Sequence, residues 1–476
     1  MAWEDEGLDP GESPEERREF RRMMDALGRE GIGRMVERLS GEIEANPQDN
    51  QRRYNRGLLY NELGEHRLAA EDYGSIIARD PAHANAYQGR ARARSGMEEY
   101  HLAMEDYDAA IRLAPGNAVA HYSRGACKAE LGDLEGALGD FDLAVLLAPE
   151  DADAWYNRGL THAAMGEPLL AVEDLGRAIE LEPVLAEARY HRGMAHHDLD
   201  QPEQALGDFD AAVALEPGYG LAYYARGITH LNLGACEEAL QDFEAVLGLD
   251  PDNAPALLGR GMALGNLGRS DEAMADLDRS LELKPGNAET LTARGLAHTS
   301  LGQHEQAIED YSRVIELEPG NTRVRYNRGT EYMSVGRRDL AMEDFSAIIE
   351  MEPDNVGAYL ARGMALTAME EHRRALRDYE RLVELMPEES VGYHMRGWAQ
   401  AELGQLHPAL ESLRRAIELE PANVEARRHR AMVYRGLGET DKALADYDEI
   451  LRRFPGSPYI TELRRLAVEE AEADAG

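Results

Sequence analysis

Thirteen prolines stand 34 residues apart without a gap, from Pro47, Pro81 and Pro115 through to Pro421 and Pro455. A fixed period over most of a chain constrains its fold more than any local propensity. Each period is one small unit that cannot bury its apolar face alone and must stack on the next. With the proline set as position 32, twelve full repeats run from Asn50 to Ser457. Position 20 is alanine in all twelve, from Ala69 to Ala443. Position 8 is glycine in ten and alanine in the other two, Ala91 and Ala431. Position 15 is glycine in nine, and position 24 is Phe, Tyr or Leu throughout.

Repeat 4, Ala152 to Leu185, shows the local logic. Trp155, Gly159, His162 and Ala163 share one helical face, and Gly166 is placed to end that helix in a left-handed conformation. A second helix is predicted from Pro168 to Leu181, with Ala171, Leu175, Ala178 and Ile179 on its inner face, and Pro183 stops it. Glycine within a helix costs about 1 kcal/mol relative to alanine. Its recurrence at position 8 therefore predicts a steric need, read here as close approach to alanine 20 of the facing helix.

In spacing and residue type the repeats resemble the tetratricopeptide repeat (TPR). The resemblance implies an all-α, right-handed superhelical solenoid of helix-turn-helix units, with the first helix of each unit lining a concave groove. Residues 50–457 are the twelve repeats. Residues 15–49 are expected to form a degenerate capping helical pair with Met35, Leu39 and Ile43 inward. Residues 458–476 are expected to form a capping helix and short tail, with Leu463, Leu466 and Ala467 inward. Residues 1–14 read as a disordered acidic tail.

Where the family pattern has a leucine-like residue at position 7, all twelve repeats carry arginine, from Arg56 and Arg90 to Arg430. Eleven carry aspartate at position 23, and repeat 11 has Ser412. The two positions are equidistant from the turn, so antiparallel helices can bring them together. The arginines are either a ladder for phosphates and carboxylates or the partners of those aspartates, in their own or an adjacent repeat. Pairing is favoured, because buried charges are normally compensated. Arg396, opposite Ser412, is the one arginine expected to be free.

The resemblance also implies that positions 2, 5, 9, 12 and 13 face the groove. Position 5 is often tyrosine: Tyr54, Tyr122, Tyr156, Tyr190, Tyr224 and Tyr326. Position 9 is mostly apolar, as at Leu160, Met194 and Ile228. Tyr156, Tyr190 and Tyr224 fall in three successive repeats and mark the expected centre of binding. The alternative is packing between neighbouring helices. The carboxylate-clamp subclass of the family has lysine at position 5 and asparagine at position 9. Neither occurs here, so that activity is not expected.

The formal charge of −39 opposes binding to nucleic acid and to anionic membranes. No phosphate loop, nucleophile elbow or zinc-protease motif occurs. Histidines recur at position 11 (His162, His196, His230, His298), but at about 10 Å per repeat they are too far apart to share a metal. Cys127 and Cys236 lie three repeats apart, too far for a disulfide. The expectation is a cytoplasmic scaffold or adaptor for proteins or peptides, with no catalytic residue, cofactor or metal. A regulatory or substrate-recognition subunit of a separate enzyme is the alternative. The end repeats leave homo-oligomerisation open.

Overall fold

The computed structural model describes residues 14–475, and side chains from 19 to 469. The expected acidic tail lies outside the described residues, except Pro14. Among the described residues there are 26 helices and no strand. The chain divides at Leu249/Asp250 into two compact bodies. Each is a stack of helical hairpins, repeats 1–6 in the first and 7–12 in the second.

Repeats 2–12 spend positions 1–13 on a first helix and 17–30 on a second, as in Ala152–Ala164 and Pro168–Leu181, and the first helix of repeat 1 runs one residue longer, Asn50–Leu63. The position-34 residue of the preceding repeat stands at the N-cap of the first helix. Asn117, Asn253, Asn287, Asn321, Asn355 and Asn423 each accept a hydrogen bond from the backbone N–H three residues on. Such a cap satisfies an N–H that the helix itself leaves unpaired. The first helix ends where position 15 takes positive φ, at all nine glycines and also at Glu98, Asp200 and Glu370 (φ 60, 56 and 61). A side chain costs about 1–2 kcal/mol in that region, and glycine's freer unfolded chain gives back about 0.4–1 kcal/mol. Glu98→Gly, Asp200→Gly and Glu370→Gly are each expected to stabilise by up to about 1 kcal/mol. The triple variant should show a raised thermal midpoint by circular dichroism.

The core is a column of position-20 alanines, all 0% exposed, and of position-24 side chains such as Tyr73, Phe209, Tyr311 and Leu413. The expected reason for glycine at position 8 needs correction. A Cβ on Gly193, Gly295 or Gly363 would stand 2.5–2.6 Å from the ring of Phe209, Tyr311 or Tyr379. Position 8 thus makes room mainly for the position-24 side chain, which projects across the hairpin. The position-20 backbone carbonyl approaches closely in only some repeats, as at Gly125 and Gly397.

The N-terminal helix, Pro14–Ala45, is broken at Gly28 (φ 58, ψ 173). Leu39 and Ile43 are buried, and Met35 packs beside them. At the other end, Pro458–Ala475 buries Ile460 and Ala467, with Leu463 partly covered. Leu466 is 36% exposed, contrary to expectation. The inward stripe runs Ile460, Leu463, Ala467, one helical face.

Within each body, first helices of most successive repeats touch directly, as do Asn50–Leu63 and Ala84–Gly96. No comparable contact joins successive second helices among the described residues. First helices therefore lie on the inside of each stack.

Candidate functional site

The arginine ladder is present, and it is internal. Arg124 donates from Nε and Nη2 to the two carboxylate oxygens of Asp140, at 2.9 and 2.5 Å. The same two-pronged pairing joins Arg56 to Asp72, Arg192 to Asp208, Arg328 to Asp344 and Arg430 to Asp446. The aspartates are buried and the arginines about one-fifth exposed. Several arginines also reach back to position 25 of the preceding repeat: Arg124 to Asp108, Arg158 to Asp142, Arg226 to Asp210 and Arg294 to Asp278. The ladder therefore pairs within and between repeats. Hydrogen bonds donated to these carboxylates hold Arg124 and Arg294 above the ordinary arginine range.

Position 11 supplies a further partner to the same aspartate. Arg94 and Lys128 approach Asp106 and Asp140 at 2.7 and 2.8 Å. His162, His196, His230 and His298 lie 3.7–4.0 Å from their aspartates. The Nδ1 atoms of His162, His196 and His298 meet Glu167, Gln201 and Gln303. These histidines complete a structural triad. No group of three metal-ligating side chains occurs among the described residues. Both cysteines are buried free thiols.

The position-5 tyrosines are largely wedged against the position-24 ring of their own repeat. Tyr122 leans on Phe141, Tyr190 on Phe209, Tyr224 on Phe243 and Tyr326 on Phe345, with centroids 5.6–6.1 Å apart. Tyr54 is buried, Tyr326 is exposed, and the other four are half-buried. Tyr156 and Tyr190 are brought together through His191, at 5.9 and 4.9 Å, and Tyr219 extends the row at 5.3 Å from Tyr190. Burial pushes the Tyr156 hydroxyl up to about 12 and lowers His191. Both are neutral hydrogen-bonding groups near pH 7. Tyr224 packs on Phe243 rather than joining that row. His191 and Tyr219 fall outside the groove positions that the repeat pattern singled out.

Leu160, Met194 and Ile228 at position 9 are half-buried, while Leu296, Met364 and Met432 are 43–50% exposed. A partly open cleft of about 290 Å³ lies at repeats 1–4, where Phe20, Tyr54, Glu62, Arg92, Tyr122 and Asp153 converge. Tyr54 and Tyr122 are the position-5 tyrosines in it. Phe20 comes from the N-terminal helix, whose degenerate sequence hid its alignment with position 5.

A pattern missed in the periodicity is plain on this surface. Positions 5, 9 and 12 in twelve repeats make 36 sites, and none is Asp or Glu, although the chain has 90 acidic residues in 476. At that frequency about seven would be expected by chance. At positions 5, 9 and 12 the side chains are aliphatic, aromatic, small or polar, with a few basic ones such as Arg92, Arg428 and Arg435, while acids such as Glu62, Asp153 and Glu187 stand at positions 2 and 13.

The tetratricopeptide-repeat family model matches residues 88–155, 156–220, 192–257, 224–288, 288–321, 326–390 and 394–458. The chain belongs to the tetratricopeptide-repeat family. Among solved structures it is similar to YrrB, described as a TPR protein with an unusual peptide-binding site. That match has 29% identity and a TM-score of 0.36, over 40% of this chain and 97% of YrrB. MamA matches at 26% identity and a TM-score of 0.34, over 36% of this chain and 94% of its own. A tetratricopeptide-repeat protein of Parabacteroides merdae matches at 19% identity and a TM-score of 0.41, over 52% and 98%. No curated protein sequence matches. No helix among the described residues is long and apolar enough to cross a membrane.

Proposed function

We propose that this TPR chain is a non-catalytic scaffold that takes a segment of a partner protein along the inner face of its first helices. The observation that carries this reading is the exclusion of acid from positions 5, 9 and 12. Packing alone does not require it. Leu296, Met364 and Met432 are half exposed, and an exposed helical site ordinarily tolerates Glu well. An apolar strip kept open to solvent marks an interaction surface. Methionines adapt to the shape of a partner, and tyrosines add area and a hydroxyl at low entropic cost. The ligand that suits such a strip is an apolar or amphipathic peptide.

The test is site-specific photocrosslinking in the native host, with the probe at Leu296 or Met364 on the inner face, or at Glu180 on a second helix. A discrete partner is expected from the inner positions only. Leu296→Asp with Met364→Asp, at exposed sites that leave the helices intact, should weaken that partner at least about tenfold, the loss of one interface anchor. Capture from Glu180 alone, or an unchanged affinity in the double variant, rejects the inner-face reading.

A further inference from the structure

Repeat 11 breaks the ladder at position 23, and its positions 11 and 25 offer no charged replacement for the missing carboxylate. Position 23, aspartate in the other eleven repeats, is Ser412. Position 11, cationic or histidine in repeats 2–6, is Gln400. Position 25, aspartate where repeats 2, 3, 5 and 7 bridge onward, is Arg414. The expectation that Arg396 is free is therefore corrected only in part. Its Nε donates to Ser412 Oγ at 3.0 Å, and its guanidinium lies over the Tyr393 ring, 5.1 Å from the centroid. Ser412 in turn donates to Gln400 Oε1 at 2.8 Å. Among the described residues, neither Arg396 nor Arg414 has a carboxylate within 4 Å, and Arg414 meets only the Tyr434 hydroxyl, at 3.2 Å. Arg415 flanks Tyr393 from another side, 6.0 Å from the centroid, and holds Glu388 and Glu418 only loosely, at 3.7 and 3.6 Å.

These three arginines line one open cleft of about 620 Å³, against Tyr393 and His407. Three carboxylates share its wall. Glu439 is taken by Lys442 at 2.6 Å, Glu418 is the loose partner of Arg415, and Glu411 is exposed. In the other repeats an arginine at position 7 closes on two carboxylate oxygens. Here the same guanidinium is held by Ser412 and Tyr393 and lines a cleft instead. Arginine's planar fork matches carboxylate and phosphate in two-pronged geometry. The net charge of the chain does not forbid this, since charges beyond about 8–10 Å are largely screened at physiological salt.

We propose that the repeat-11 cleft is a binding site for an oxyanion, a carboxylate or a phosphoryl group, which takes the place of the missing position-23 carboxylate. It lies on the side of the second helix, uses positions 4, 7, 25 and 26, and is independent of the inner-face strip.

The experiment titrates the full chain with inorganic phosphate and, separately, with N-acetylglutamate, at constant ionic strength set with sodium chloride. Calorimetry reads binding, and the side-chain Nε–H resonances of arginine read the location. Wild type should bind at least one anion saturably. Response to phosphate alone assigns a phosphoryl ligand, and response to both assigns carboxylates as well. Arg396→Gln should bind at least about tenfold more weakly, the worth of one charge-assisted hydrogen bond. Ser412→Asp is the decisive variant, because it supplies the carboxylate from within. It should abolish binding while unfolding at a higher temperature than wild type, so the loss is not misfolding. No saturable response beyond chloride, or binding by Ser412→Asp equal to wild type, overturns the proposal.

Discussion

Asp140→Ala is expected to destabilise the first body by about 3 kcal/mol, at the low end of the cost of breaking a buried ion pair. Asp140 is 2% exposed and carries the densest set of partners in the ladder. It accepts from Arg124 twice and from Lys128 at 2.8 Å, with His121 at 3.5 Å. Burial alone would raise its pKa, yet the Arg124 and Lys128 hydrogen bonds outweigh burial and hold the carboxyl below the usual range. Alanine leaves those cations half-desolvated without their counter-ion. Arg124 keeps Asp108 and Lys128 keeps the Gly136 carbonyl, which is why the low end of the range applies. Urea unfolding gives the total, and hydrogen exchange should localise the loss to repeat 3 and its neighbours. An Arg124→Ala/Asp140→Ala double variant should cost less than the sum of its parts, because residues in one network couple. Glu180→Ala removes an exposed partner of Arg177 and should cost under about 1 kcal/mol. Equal costs for Asp140→Ala and Glu180→Ala would falsify the buried-pair account.

The helical hairpins, their length and their stacking order were legible because Pro at 32 and Ala at 20 recur in all twelve repeats and Gly at 15 in nine. The pairing of position 7 with position 23 was legible for the same reason. Both lie eight residues from the turn, so hairpin geometry alone brings them together. Other features depend on which side chain wins a shared space. Position 24, not position 20, fills the room left by glycine 8, and ring size decides that. Most position-5 tyrosines lean inward on a position-24 ring, which helix phase alone cannot reveal. Phe20 lines the inner cleft although its unit had lost the repeat's signature residues. The absence of acid from positions 5, 9 and 12 was in the sequence all along. It shows only when the absence of a residue type is tallied by position, whereas the search for a site had looked for residues present.

Lowering the pH from 7.5 to 5 is expected to destabilise repeats 11 and 12 by about 2 kcal/mol through one histidine pair. His394 Nε2 lies 2.9 Å from His429 Nδ1, and the Trp398 ring stacks on His429 at 5.3 Å with planes 10° apart. Arg428 Nη2 donates to the other side of His429 at 2.8 Å. Burial, then Arg428, then His394 depress His429 to about 3. Burial also lowers His394, against the opposing pull of Glu425 and Glu420. In the unfolded chain both should titrate near 6.5. For a base depressed on folding, the unfolded state binds more protons in between, so stability rises with pH. It is complete above about 6.5 and declines as pH falls from there toward the folded value. At pH 5, 1.5 units below the unfolded pKa, His429 alone contributes a loss of about 2 kcal/mol, at 1.36 kcal/mol per unit. Asp140, whose folded value is depressed by its cations, loses its contribution only as pH falls below about 4, so the two windows separate. Hydrogen exchange at pH 7.5 and 5, corrected for intrinsic rates, should show protection falling in repeats 11 and 12 and holding in repeats 7–9. His429→Gln should flatten the change between pH 7.5 and 5. If that variant keeps the acid sensitivity of wild type, the pair is not its source, and the lowered proton affinity of His429 has no bearing on the stability of the second body.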